Sequence, residues 1–517
     1  MKRLKKLTAI LTAAIMMVAM SMPVLAAAPA ATDEQTATVS NVERTATVTA
    51  YQIVKADYNA SGLIGYSANP GVTLADVLRP TSTEVTALAA GGLSGLPSVV
   101  MTTTDTTDLA TFSADLNAGY WIVLVTGTIE EVYNPMLIGV YYSVGGSDNT
   151  MTGGTVDANS NWTLETVNAY AKSTDPSISK AIVNSGSGNA NGDDAAIGDV
   201  VEFRIETAIP SYSAQYRSVL VRITDTLSAG LELDASSIVI TAGGAPLAPA
   251  NYTLTSTLGG FVLTIDSDYA LANGNQAIVI TYEAELTANA GLNFDPNTNT
   301  AKLEYTNDPT NATNTSETED ITYHYTFAIG ANLYGTSSET WNKQTQELIK
   351  GEWVTTDVGG TPTTTFERLQ GATFTLTNTV TGQVYTATSN ALGELIFTGL
   401  DAGTYTLVET VAPAGFTLNN TPIPVVITAT YNPNGTLHSY TISVAGSEST
   451  YEAVYQGDTS VITDITIIEE NETQIPNTKT PGLPSTGGMG TYIFTILGVA
   501  IISVASILLY VSKKKRV

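Results

Sequence analysis

Ser218-Val219-Leu220-Val221-Arg222-Ile223-Thr224-Asp225 sets Val219, Val221, Ile223 and Asp225 on one side of an extended chain and Ser218, Leu220, Arg222 and Thr224 on the other. Side chains two apart share a face of a strand, so this octapeptide reads as a half-buried β-strand whose inner row ends in a carboxylate. The same habit recurs outward from it. Thr, Val, Ile and Tyr alternate in short runs such as Thr404 to Val408, and turn signals such as Gly192-Asp193, Leu392-Gly393 and Asn434-Gly435 separate them. No helical pattern of comparable length lies between the two chain ends. The expected class is therefore all-β, with three tandem Ig-like β-sandwich domains over a 517-residue chain. Linkers are expected near Ser173 to Pro176, Thr322 to Gly330 and Asn471 to Pro481, and the stretch from Thr336 to Thr365 reads as a long loop or weakly paired extension.

Counting by twos through the other strands gives an unusual result. Ile178, Lys180 and Ile182 share parity, as do Asn299, Ala301, Leu303 and Tyr305, and Tyr405, Leu407 and Glu409. If the apolar rows face the core, a Lys, an Asp and an Asn point into one sandwich and a Glu into the next. Buried charges are costly unless paired, neutralised or consumed.

Both ends read as processing segments. Lys2, Arg3, Lys5 and Lys6 precede an apolar stretch from Leu7 and a small-residue site at Val24-Leu25-Ala26, the order of an export signal cleaved after about Ala26. At the other end Leu483-Pro484-Ser485-Thr486-Gly487 is followed by an apolar run from Tyr492 to Val511 and by Lys513-Lys514-Lys515-Arg516. A run of about 20 residues spans a bilayer of about 30 Å, and the basic cluster holds the C-terminus in the cytoplasm. Removing both segments takes away eight basic residues and no acid, so the formal charge goes from −27 to −35. Such acidity argues against nucleic acid or anionic lipid as a partner.

With no Cys, neither disulfides nor thiolate metal sites can form. His324 and His438 are too far apart in sequence to suggest a pair, and no HExxH, GxSxG, P-loop or EF-hand pattern is present; Asp266-x-Asp268 lacks the remaining ligand spacing. No catalytic constellation, cofactor or metal is expected, although a site of carboxylates and carbonyls alone stays open.

The C-terminal order resembles that of LPxTG-anchored surface proteins of Gram-positive bacteria. That resemblance implies a sortase transpeptidase that cleaves after Thr486 and passes its acyl group to an amine. Ser177-Ile178-Ser179-Lys180, Ile223-Thr224-Asp225-Thr226-Leu227 and Asn299-Thr300-Ala301-x-Leu303-x-Tyr305 resemble the middle domain of sortase-assembled backbone pilins, in which a Lys and an Asn join spontaneously beside an Asp. It implies a Lys180–Asn299 isopeptide promoted by Asp225, with Asn297 and Asn293 as competitors for the amide. Desolvation would make the lysine a neutral nucleophile and the acid a proton donor to the amide carbonyl. Tyr405-x-Leu407-x-Glu409-Thr410-x-Ala412-Pro413-x-Gly415-Phe416, after Leu369-Gln370-Gly371-Ala372-Thr373-Phe374, resembles the E-box of collagen-adhesin B-type domains. It implies that Glu409 promotes a second bond between Asn477 and Lys350, with Lys343 as the alternative lysine.

Trp162-Thr163-Leu164-Glu165-Thr166-Val167-Asn168-Ala169-Tyr170-Ala171-Lys172 resembles the pilin motif, with Ala171 where Pro is usual. By resemblance Lys172 accepts Thr486 of the next subunit. Val167, Ala169 and Ala171 are expected to form the buried row and Lys172 to face solvent. The expected parts are a signal peptide (1–26), an N-terminal pilin domain (27–172), a middle isopeptide-forming domain (173–325), a C-terminal collagen-adhesin B-type domain (326–480) and the sorting signal (483–517). The family implies a secreted, peptidoglycan-anchored protein, transiently inserted in the membrane. It would polymerise with identical subunits and with minor tip or basal pilins, in support of adhesion. The other functional class left open is a monomeric wall-anchored adhesin that binds a host protein or glycan.

Overall fold

The computed structural model describes residues 28–127, 129–144, 148–149, 156–157, 160–309, 311–333, 345–359, 361–457, 459–480 and 489–514. The signal peptide, Lys343 and the whole of Leu483 to Gly487 lie outside them. The chain divides into two compact units, one formed by residues up to 290, 296–325 and 431–436, the other by 291–295, 326–430 and residues from 437 onward.

The first unit contains two sandwiches. In one, a sheet of Ala169–Tyr170, Glu34–Glu43 and Leu109–Asn117 shares a core with a larger sheet built on Ala46–Asn59, Gly119–Gly127, Met136–Val144 and Trp162–Val167. Trp121 and Ile122 are both buried despite opposite parity, because the larger sheet is covered on its second face as well. There Ile53, Val54, Ile122 and Leu124 pack against Val85 and Ala89 of the short helix Ser82–Ala89, which Thr81 and Glu84 start with a capping box.

The second sandwich faces a five-stranded sheet (Ile178–Ile182, Val200–Ala208, Ala277–Leu286, Leu231–Ala242, Ala245–Pro246) with a six-stranded one (Gly192–Asp194, Thr315–Tyr325, Asn297–Thr306, Val221–Leu227, Gly260–Ile265, Tyr252–Thr257). The parity rows are the core rows: Ile178, Ile182, Val221, Ile223, Ala301, Leu303 and Tyr305 are all buried. Gly192-Asp193 is not a turn but part of Gly192–Asp194, which runs parallel to Thr315–Tyr325. Asp266 of the discarded Asp266-x-Asp268 pattern caps the helix Ser267–Ala272, accepting from the Tyr269 amide.

In the second unit a seven-stranded sheet carries Thr373–Asn378 and Gly403–Val411 as its second and third strands from one edge, and a smaller sheet pairs Leu348–Val358 with Thr361–Arg368, Glu394–Leu395 and Thr473–Pro476. Leu392-Gly393 and Asn434-Gly435 do form turns, with Gly393 and Gly435 at positive φ.

Two of the expected linkers hold strands, although the boundary between the two units does fall in the first of them, between Tyr325 and Thr326. Thr322 to Ile329 is buried without interruption and sits in strands, and Thr473–Pro476 pairs in parallel with Leu348–Val358. Threonine and tyrosine, which made these stretches look polar, are good strand residues, and their hydroxyls find partners inside. Of the stretch expected as a long loop or weakly paired extension, residues 336–344 and 360 lie outside the described residues and the rest takes the paired form, an antiparallel ribbon from Gly351↔Arg368 to Val358↔Thr361. The helix Met489–Lys514 contains the apolar segment Ile493–Lys513, long enough to cross a membrane.

Candidate functional sites: two buried lysines and one exposed

Lys180 lies on the edge strand of the five-stranded sheet, and Asp225 and Asn299 lie on neighbouring strands of the sheet opposite. Asp225 pairs with Ala301 and Leu227 with Asn299, so the acid and the amide are diagonal neighbours on one inward face. Lys180 reaches across the core, where its Nζ donates to both Asp225 oxygens at 2.9 and 3.0 Å. All three side chains are buried, at 2 % exposure or less. Burial pushes the Lys180 amine below its usual range against the pull of Asp225, and burial pushes the Asp225 carboxyl up against the pull of Lys180 and Tyr282. Both shifts favour the neutral amine and the protonated acid over the ion pair.

Sequence reasoning missed Tyr282, whose hydroxyl is the hub of the site. It donates to the Asp225 carboxylate, accepts from Lys180 Nζ, and accepts from Asn299 Nδ2 at 2.9 Å. Asp225 was expected to donate directly to the Asn299 carbonyl. Instead Asn299 Oδ1 has no hydrogen-bond partner among the described residues, and the tyrosine stands between acid and amide. The signal was present in the sequence: Ile278, Ile280, Tyr282, Ala284 and Leu286 form one apolar row, and a lone hydroxyl in such a row needs a partner. The competing asparagines are engaged elsewhere. Asn297 Nδ2 donates to the His324 carbonyl at 3.3 Å, and Asn293 bonds Asn332 and Ala328.

The second unit assembles its triad in direct contact. Lys350 Nζ donates to Asn477 Oδ1 at 2.5 Å and lies 3.2 Å from Glu409 Oε1, and Asn477 Nδ2 donates to that same oxygen at 3.0 Å. The other Glu409 oxygen accepts from the Asn419 amide at 2.7 Å. Lys350 and Glu409 are sealed from solvent, Asn477 is 5 % exposed, and the Lys350 amine sits 5.4 Å from the centre of the Phe374 ring. Burial lowers the Lys350 pKa. Asn477 is brought to the lysine by the parallel pairing of Lys350 with Ile475, and its own N–H donates to the Gly351 carbonyl at 2.8 Å.

Lys172 is the opposite case, an exposed lysine on a pinned backbone. Trp162–Val167 pairs with Met136–Val144 and buries Trp162 and Leu164, so Val167 points outward at 54 % exposure. The expected buried row therefore fails at Val167. The reason is a change of sheet at Asn168, whose side chain accepts from the Thr38 amide, after which Ala169–Tyr170 pairs in parallel with Glu34–Glu43 and Ala171 is buried. The Ala171 N–H donates to Ser40, its carbonyl accepts from Asn41 Nδ2, and the Lys172 carbonyl accepts from the Asn134 amide at 3.0 Å. These bonds fix the backbone where a proline would otherwise do so.

His324 is buried in the same core as Lys180. Its ring packs edge-on against Phe203, and burial depresses its pKa to about 3. Unfolded, the ring would take a proton near pH 6.5, so its contribution to stability is complete above that pH and is lost as pH falls towards 3. At about 1.4 kcal/mol per unit the loss is on the order of a few kcal/mol. His324→Phe is expected to flatten the acid limb of the stability curve between pH 6.5 and 4 in chemical denaturation; an unchanged limb would contradict this assignment. Among the described residues, no cluster of three or more His, Asp or Glu is placed to hold a metal ion.

Comparison with known protein families matches three segments of the chain, none of which includes the Lys180–Asp225–Asn299 site. Residues 32–173, ending just past Lys172, match the T6 antigen Ig like domain; residues 354–438, which include Glu409, match the SpaA prealbumin-like fold domain; and residues 475–517 match the LPXTG cell wall anchor motif. The chain thus carries an LPXTG cell wall anchor motif behind segments that match the T6 antigen and SpaA domain families. The trypsin-resistant surface T6 protein of Streptococcus pyogenes serotype M6 is 26 % identical to it, over 92 % of this chain and 94 % of the relative. Among solved structures, the T6 backbone pilin of serotype M6 Streptococcus pyogenes has a TM-score of 0.60 at 22 % identity, covering 88 % of this chain and 100 % of that one. The full-length major pilin SpaD of Corynebacterium diphtheriae follows at 0.47 and 14 %, over 88 % and 99 %.

Proposed function

We propose that the chain is the backbone subunit of a covalent cell-surface fibre, in which sortase joins Thr486 of one copy to Lys172 of the next. The exposed amine of Lys172 on its hydrogen-bonded backbone carries this reading, because a transpeptidase acceptor must be accessible and held still. The anchor motif supplies the donor end, and the name and structure of the T6 relatives support the same role. A wall-anchored monomer would need the anchor but not the presented lysine. In this reading the Lys180–Asn299 and Lys350–Asn477 pairs form intramolecular isopeptide bonds. Each amine attacks the amide carbon, a C–N bond forms, the amide nitrogen takes a proton and leaves as ammonia, and the acid returns to its starting state. The proposed bonds tie one sheet to the other in the middle domain, and in the C-terminal one the strand Leu348–Val358 to the residue just past Thr473–Pro476. They would resist pulling and proteolysis in a chain that has no cysteine.

The anchor is tested by Thr486→Ala. That variant is expected to appear in membrane and medium fractions, with wall-bound protein reduced at least about tenfold, since the acyl-enzyme cannot form at the normal bond. Normal wall attachment would contradict the assigned scissile bond.

A further inference from the structure

The two buried triads differ in one respect that side-chain length explains. In the C-terminal site the acid is Glu409, and it touches the amide of Asn477 directly. In the middle domain the acid is Asp225, one methylene shorter, and the Asn299 amide nitrogen donates to Tyr282 instead. The Tyr282 hydroxyl has one proton and two lone pairs. All three are committed: the proton to Asp225, the lone pairs to Lys180 Nζ and Asn299 Nδ2. One oxygen thus touches the nucleophile, the acid and the leaving group.

We propose that Tyr282 is a catalytic residue of the middle-domain crosslink, relaying a proton from Asp225 to the departing nitrogen of Asn299. This rests on the isopeptide reading and deepens it. As Lys180 Nζ bonds to the Asn299 side-chain carbon and Nδ2 changes from an amide to a basic amine, both hydrogen bonds of the resting site reverse: protonated Asp225 gives its proton to the tyrosine oxygen while the phenolic O–H turns to Nδ2 and passes its proton there. The C–N bond of the amide breaks and ammonia leaves. The proton lost by the Lys180 amine returns to Asp225, so tyrosine and acid end as they began and the only products are the new amide and ammonia. The hydroxyl never rests as a phenolate, since burial and Asp225 hold its pKa well above the ordinary value. The ring is fixed for this task by stacking on Phe203 and an edge contact with Phe261.

The test is timed cell-free synthesis of the full chain, quenched at intervals, with each ammonia loss assigned to its pair by peptide mass mapping. Tyr282→Phe keeps both ring contacts and is expected to slow the Lys180–Asn299 bond at least about 100-fold, the range of general acid–base catalysis, while Lys350–Asn477 forms at the wild-type rate in the same molecules. In that background Asp225→Glu is expected to restore much of the rate, because the longer acid reaches the amide unaided; this double variant also separates lost chemistry from lost folding. Equal rates for Tyr282→Phe and wild type would overturn the relay alone, as would a slow Tyr282→Phe whose rate the glutamate does not raise. Absence of any middle-domain loss in the wild type would overturn the crosslink reading and the relay together.

Discussion

Glu409→Ala and Asp225→Ala are each expected to retain one ammonia that the wild-type chain loses, a difference of about 17 Da per variant in intact mass, because without the acid the amide nitrogen has no proton donor. The stability effect should be large. Lys350 and Asn477 are 127 residues apart, and closing a loop of that size is worth about 5 kcal/mol of denatured-state entropy by the argument used for disulfides. An unreacted lysine left buried without its acid costs about 3 to 5 kcal/mol more. For a domain of this size, 5 kcal/mol corresponds to a drop of about 10 to 20 °C in melting temperature. Calorimetry of the Glu409→Ala chain is thus expected to show the C-terminal transition shifted down while the middle-domain transition stays put, and the reverse for Asp225→Ala. A wild-type chain at its full calculated mass would remove both bonds from the account.

Why some of this was readable from sequence follows from how each side chain is held. Lys180, Asp225, Asn299 and Glu409 lie on strands with one face in the core, so a count by twos put them inside before any contact was known. Lys350 obeys no such count. Leu348, Ile349 and Lys350 are buried in succession because their strand is covered on both sides, and only the resemblance to collagen-adhesin domains pointed there. Val167 was misread because parity holds only while a strand stays in one sheet, and the chain changes sheets at Asn168. Tyr282 was passed over because alternation says which way a ring points but not what its hydroxyl meets. The strands within the expected linkers, from Thr322 to Ile329 and at Thr473–Pro476, were missed by composition, which cannot see that a Thr-rich segment is the partner of a strand far away in sequence.

The acceptor lysine carries the largest functional effect. Lys172→Ala removes one exposed amine and touches no core residue, so the variant is expected to fold, to be secreted, and to form both intramolecular bonds at wild-type rates. Surface substitutions of this kind change stability by about 0.5 kcal/mol or less. Lys172→Arg should behave like the alanine variant, since a guanidinium keeps the charge but stays protonated and is no nucleophile. What both should lose is polymer, because the acyl group on Thr486 then has no neighbouring subunit to join.

Denaturing electrophoresis of cell-wall extracts from cells carrying wild-type or Lys172→Ala chains tests the central claim most directly, since only covalent linkage survives the detergent. The wild type should give a ladder of high-mass bands and Lys172→Ala a single band at subunit mass, still attached to the wall. A wild-type single band, or a ladder unchanged by the substitution, would contradict assembly through Lys172.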